Sequence, residues 1–137
     1  MSFAGMIPQV ERVAVIDMGS NSWRMVVFGY EPGTPWWSLV DEIREAVRIA
    51  AGVDESGTLR PDRVELALHT AAVFSAFCRA TDVDEIEAVA TSAIRDAENG
   101  ERLLADIERT TGLHARVISG PEEARYGYLA AVNSTTL

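Results

Sequence analysis

The sequence predicts an α/β fold, a central sheet with helices packed on it, in the order β-β-β-α-β-α-β-α. Three observations carry that expectation. Two apolar runs rich in β-branched and aromatic residues, Val13–Ile16 and Trp23–Tyr30, flank a short polar turn and read as a hairpin. Val64, Leu68, Ala71, Phe74 and Cys78 form a stripe at helical spacing behind Pro61, a residue suited to the first position of a helix. Beyond that stripe, short apolar strands alternate with helical stretches, which is the pattern of a sheet covered by helices.

Taken in order, residues 1–11 read as a loosely ordered lead-in and residues 12–137 as one lobe. Glu31-Pro32-Gly33-Thr34-Pro35 is a turn cluster after the hairpin. Trp36–Ile49 reads as a third strand with a bulge around Asp41–Arg44. A helix is the competing reading there, because Ile43, Val47 and Ala50 also fit a helical period. Ala51–Leu59 is a loop with two glycines, and the first helix runs from Pro61 to Ala80. Ile86–Ala90 is a fourth strand leading into Thr91-Ser92-Ala93-Ile94-Arg95. Glu101–Thr111 is a second helix stopped by Gly112, His114–Ile118 a fifth strand, and Glu122 to Val132 a third helix.

Composition narrows the function classes. A chain of 137 residues suits one domain, and such a domain buries about two-thirds of its unfolded surface. The net charge of −9 argues against a nucleic-acid-binding surface. The apolar runs are far too short to span a membrane, and Met1–Glu11 lacks the basic and apolar parts of a secretory signal. Cys78 is the only cysteine, so an internal disulfide is impossible and a reducing cytoplasm is the expected compartment; on its stripe it reads as a small core hydrophobe. His69 lies off the stripe with no partner at ligand spacing. All twelve basic residues are arginine, so P-loop lysine chemistry is absent, whereas bidentate phosphate contacts are well served.

Three loops leave the C-terminal ends of strands one, four and five, the edge where open α/β sheets bind ligands. The first is Asp17-Met18-Gly19-Ser20-Asn21-Ser22. Asp17 offers a carboxylate for a hydrated Mg²⁺, Gly19 permits positive φ and close backbone approach, and the hydroxyls and amides can hold phosphate oxygens. The same residue types also make ordinary turns. The second loop sets Thr91, Ser92 and Arg95 just past a strand, where the hydroxyls also suit simple capping. The third puts Glu122 and Glu123 in the first turn of a helix. Acids there complement the helix dipole, yet a carboxylate aimed at a bound phosphoryl group is also what a water-activating base requires.

Together these stretches resemble the exopolyphosphatase and guanosine pentaphosphate phosphohydrolase family. The similarity rests on I-D-M-G-S-N-S at Ile16–Ser22, V-R-I-A-A-G at Val47–Gly52, A-T-S-A-I-R-D-A-E-N at Ala90–Asn99 and I-S-G-P-E-E-A-R at Ile118–Arg125. The resemblance implies an actin-like, ribonuclease-H-like ATPase fold of two lobes facing a cleft. It also implies Mg²⁺-dependent hydrolysis of terminal phosphoanhydrides of inorganic polyphosphate or guanosine pentaphosphate. By position, Glu123 corresponds to the catalytic base, Arg95 to a phosphate-chain ligand and Asp17 to the metal ligand. Gly19, Ser20 and Asn21 correspond to the first phosphate loop, and Arg48 to a frequently basic position near the cleft.

The family's second lobe opens with a D-x-G-G-G-S loop, and that motif does not occur in these 137 residues. The chain is therefore expected to be the amino-terminal lobe of a longer enzyme, inactive alone, with an apolar patch where the missing carboxy-terminal lobe would sit and a tendency to form homodimers. Trp23-Arg24, where many relatives carry smaller or imidazole side chains, is expected to alter substrate contacts. Two other readings compete: a lobe of an actin-like or sugar-kinase nucleotide-binding protein, and a non-catalytic regulator that binds guanosine tetraphosphate.

Overall fold

The computed structural model describes residues 10–125. β1 (Glu11–Met18), β2 (Trp23–Tyr30) and β3 (Trp37–Glu45) form an antiparallel meander. β4 (Glu85–Ala90) and β5 (Ala115–Val117) extend the sheet parallel to β1, giving the strand order β3-β2-β1-β4-β5. α1 (Pro61–Ala80), α2 (Ser92–Arg95) and α3 (Gly100–Thr111) occupy the connections, and a further helix opens at Gly120 and includes residues 120–125. The predicted continuation of that helix to Val132 lies outside the described residues, as does the lead-in up to residue 9. β1 already opens at Glu11.

Strand alternation decides which face is closed. Ala14, Ile16 and Met18 point to one side of β1, where their neighbours Trp23, Met25 and Val27 on β2 join them, all essentially inaccessible. Ala67, Ala71, Phe74 and Cys78 of α1 and Leu103 and Ile107 of α3 complete this core. Each large side chain so buried contributes about 1.5–3 kcal/mol. Cys78 Sγ lies 3.5 Å from Met25 Sδ, and burial raises the pKa of its thiol, so it is an inert core residue as expected. Among the described residues, no helix is long and apolar enough to cross a membrane.

The structure corrects several boundaries. The third strand ends at Glu45 rather than Ile49, and no helix forms there. Val47 and Ile49 are both fully buried, and Arg48 between them adopts φ +48°, which breaks the extended ladder. The bulge falls at Val40, just upstream of the predicted Asp41–Arg44, because Val27 pairs with Asp41 while Phe28 pairs with Leu39. The fifth strand is only Ala115–Val117. A one-turn helix, α2, was not expected after Thr91; four residues are too few to display a period. Gly100 at the start of α3 is demanded by close packing, since a Cβ there would lie 1.9 Å from the Ile94 carbonyl oxygen.

Candidate active site

Because β1, β4 and β5 run parallel, their C-terminal ends and the three loops that follow share one sheet edge. Backbone and hydroxyl contacts stitch those loops together. The Thr91 amide and Oγ1 each donate to the Met18 carbonyl at 3.3 Å, and the Ile118 amide donates to the Ala90 carbonyl at 3.1 Å. Ser20 Oγ and Ser92 Oγ are 3.3 Å apart. A cavity of about 620 Å³ opens on this edge, lined by Asp17, Gly19, Ser20, Thr91, Ile118 and Glu123, among others.

Asp17 leaves β1 on the open side of the sheet. Its pKa is raised, first by burial of the carboxyl and then by the negative charge of Glu123, with Arg24 opposing. Asp17 and Glu123 thus converge on one cavity. Gly19 does not use the positive φ that glycine permits. The close backbone approach expected of it is what the structure shows, since a Cβ would come within 2.9 Å of the Ser22 carbonyl oxygen. The Asn21 carbonyl accepts the Arg48 amide at 2.8 Å, which fastens the Arg48 segment to the hairpin loop. Neither Asn21 nor Arg48 lines the cavity, and the Arg48 side chain makes no ion pair among the described residues.

Arg95 closes the arrangement. Its Nη1 donates to the Ile118 carbonyl at 2.9 Å and stands 3.7 Å from Glu123 Oε2, while Nε reaches Asp96 at 3.2 Å. A cation, two carboxylates and a hydroxyl-bearing loop are therefore gathered at the meeting of three strands. The two adjacent glutamates part company. Glu122 accepts hydrogen bonds from the Ser119 amide and hydroxyl, each at 3.3 Å, while Ser119 Oγ accepts from the Glu122 amide at 3.2 Å. That is a capping box, and Arg116 adds an ion pair at 3.1 Å. These bonds from Ser119 and Arg116 hold the Glu122 carboxyl below its ordinary pKa. Glu123 faces the cavity instead.

Trp23, expected to touch substrate, is fully buried in the core. Arg24 does face out, directly across from Asp17, and is paired with Glu42 at 2.6 Å. Two charged cavity residues escaped the sequence reading, Glu87 and Arg116. Register places Glu87 beside Val15 and Arg116 beside Val89, on the open side. Alternation along β4 and β5 is the signal that would have found them. Among the described residues, no group of three or more His, Cys, Asp and Glu side chains is placed to hold a metal ion. Asp17 with neighbouring hydroxyls suits a cation held mainly by water and substrate phosphates, which is how Mg²⁺ is usually bound.

The description of the Ppx/GppA phosphatase family matches residues 26–137. The chain belongs to that family. It is 31% identical over 120 residues to exopolyphosphatase 1 of Mycobacterium tuberculosis (strain CDC 1551 / Oshkosh), a match covering 87% of this chain and 34% of that protein. A solved Ppx/GppA family structure from Aquifex aeolicus superposes with a TM-score of 0.81 at 34% identity, covering 89% of this chain and 39% of that one. An exopolyphosphatase structure from Cytophaga hutchinsonii gives a TM-score of 0.78 at 25% identity, covering 84% of this chain and 36% of that one. The lobe thus has the actin-like ATPase fold of its Ppx/GppA neighbours, and it spans about a third of the length of the curated relatives it matches.

Proposed function

We propose that the chain forms one wall of a phosphoanhydride hydrolase site, which releases terminal phosphate from inorganic polyphosphate or guanosine pentaphosphate when a carboxy-terminal lobe supplies the other wall. The observation that carries this reading is the placing of Arg95 Nη1 3.7 Å from Glu123 Oε2, the carboxylate that lines a cavity together with Asp17 and Ser20. Arg95 binds the phosphate chain and, through its bond to the Ile118 carbonyl, is held at the mouth of the same loop that bears Glu123. Glu123 orients and deprotonates the attacking water. Gly19, Ser20 and Asn21 present the hairpin loop to the phosphates, and Arg48 lies beside them on the segment tied to Asn21. Asp17 would hold Mg²⁺, which when bound neutralises charge on the transferred group.

Positioning and charge stabilisation dominate phosphoryl transfer, so one wall alone is expected to turn over negligibly. The test is phosphate release from polyphosphate by this chain joined to a carboxy-terminal lobe, compared with its Arg95→Gln variant. The reading requires steady release that Arg95→Gln reduces at least tenfold. Release that is indifferent to Arg95, or full activity in the isolated lobe, would overturn it.

A further inference from the structure

The segment between β3 and α1 is fastened at both ends to loops of the sheet edge. At its start, the Arg48 amide donates to the Asn21 carbonyl of the hairpin loop at 2.8 Å, and Arg63 Nη1 of α1 reaches the Val47 carbonyl at 3.3 Å. Its end is laced to the junction of α2 and α3. There the Glu98 amide donates to the Gly57 carbonyl at 3.0 Å, and Thr58 Oγ1 donates to Glu98 Oε2 at 3.0 Å. Asn99 completes the lacing with both atoms of its amide. Oδ1 accepts from the Leu59 amide at 2.8 Å, and Nδ2 donates to the Leu59 carbonyl at 3.2 Å.

Asn99 is the N-cap residue of α3, where an asparagine side chain ordinarily accepts an amide of the first helical turn. It makes no such bond, and its side chain is turned to a segment 40 residues away. Helix capping therefore does not account for it. The direct links between the hairpin loop and the loop after β4 are long, since Thr91 to Met18 and Ser20 to Ser92 are all at 3.3 Å. The 2.8 Å bonds at Leu59 and at Arg48 lie close to the optimum. The firmer bridge between the two loops thus runs from Asn99 through Leu59 back to Arg48. The junction that Asn99 holds is itself tight. Gly100 is seated against the Ile94 carbonyl, and the Asp96 amide donates to the Ser92 carbonyl. Arg95 lies within that junction, and Asn99 does not line the cavity.

We infer that Asn99 is a positioning residue: by tying Leu59 to the α2–α3 junction, it sets Arg95 and the Arg48 segment at the spacing with which both hold the phosphate chain. The inference rests on the phosphate reading given above for those two arginines. Asn99 acts through them and touches no reacting atom. Glu123 is held separately, with its amide donating to the Ser119 carbonyl at 2.9 Å and the Ile118 amide bonded to Ala90. Substrate binding should therefore depend on Asn99, and the chemical step should not.

The test measures phosphate release from polyphosphate by this chain joined to a carboxy-terminal lobe, at a temperature well below the melting point of every variant. Serine caps a helix about as well as asparagine but is too short to hold Leu59. Asn99→Ser should raise KM about tenfold and change kcat by less than about threefold, as expected when binding groups are misplaced. In an Arg95→Gln background the same change should raise KM by less than about twofold, because residues that act through one another are not additive. Asn99→Asp keeps the acceptor for the Leu59 amide and should recover part of the lost affinity. If Asn99→Ser does not fold, Thr58→Val decides the matter: it removes only the exposed bond to Glu98 and should raise KM in the same direction by a smaller factor. A lowered melting temperature with KM unchanged in the folded variants would overturn the inference and leave the phosphate reading intact. So would an Asn99→Ser effect that persists in full beside Arg95→Gln. If Arg95→Gln alone leaves release unchanged, the phosphate reading falls and the role of Asn99 with it.

Discussion

The face of the sheet that carries Ala14, Ile16, Met18, Trp23 and Met25 is closed by α1 and α3, and those side chains are fully buried. The opposite face carries Val15, Asp17, Arg24 and Glu87 and stays open, with Val15 at 37% exposure. One strand, β1, serves both faces, since successive residues point to opposite sides. Its even-numbered positions from Ala14 to Met18 stabilise the lobe, and Asp17 between them faces the cavity. Stability and activity should therefore respond to different substitutions even when these are neighbours in sequence.

The largest separation is expected between Phe74 on the closed side and the residues of the open edge. Phe74 is fully buried beneath the sheet, so Phe74→Ala should cost about 3–5 kcal/mol in a urea titration. A loss below about 1 kcal/mol would mean that α1 does not pack as described.

Glu123→Gln should act the other way round. In the chain joined to a carboxy-terminal lobe, as in the test above, turnover should fall by about 10²–10⁴, the usual contribution of a general base. Substrate binding should persist or tighten, because a negative charge facing a polyanion has gone. The urea midpoint should barely move. Unchanged turnover would dismiss Glu123 as the base.

Asp17 tests the electrostatics of the open face. Its pKa is raised in the fold by burial and by Glu123, so its ionised form is disfavoured there. Its favourable contribution to stability is complete below the ordinary aspartate pKa and is lost as the pH rises through the folded value. At neutral pH, Asp17→Asn should therefore leave the isolated lobe as stable as the parent or more so, with the difference vanishing in acid. An aspartate that weakens its own fold while facing a cavity is consistent with selection for binding rather than for stability. A melting temperature for Asp17→Asn below that of the parent at neutral pH would contradict this.

The sheet and the long helices were legible because their signals are local. Trp23–Tyr30 and Pro61–Ala80 were read from strand composition and helical spacing, and the structure places them at the same residues. The third strand was overrun because Val47 and Ile49 continue its apolar pattern while a left-handed Arg48 takes the chain out of the ladder. That is a tertiary demand, fixed partly by the Asn21 carbonyl 27 residues upstream in sequence. The expectation that the Trp23-Arg24 pair alters substrate contacts fails for Trp23, whose pairing with Met18 sets it on the closed face, while Arg24 faces out. Convergence of the three loops was foreseeable from strand order, but the Arg95–Glu123 pair and the cavity lining at Glu87 and Arg116 needed the register.

The smallest expected effect is the most discriminating, because it falls one residue from the proposed base. Glu122 and Glu123 are both first-turn acids, and sequence alone allowed either to be a helix-dipole partner. The structure gives Glu122 a full set of local bonds: the Ser119 amide and hydroxyl, and Arg116. Its carboxyl pKa is lowered chiefly by the Ser119 amide, then by Arg116. A lowered folded pKa means stability that is present above the ordinary glutamate value and lost as the pH falls through the folded value. Glu122→Gln should thus lower the melting temperature slightly at neutral pH, by less than Phe74→Ala, and the gap should close in acid. Turnover should change far less than for Glu123→Gln, because consecutive helical residues point in different directions. Loss of turnover in Glu122→Gln with an intact Glu123→Gln would exchange the two roles, and the capping box would then be a site that activates water.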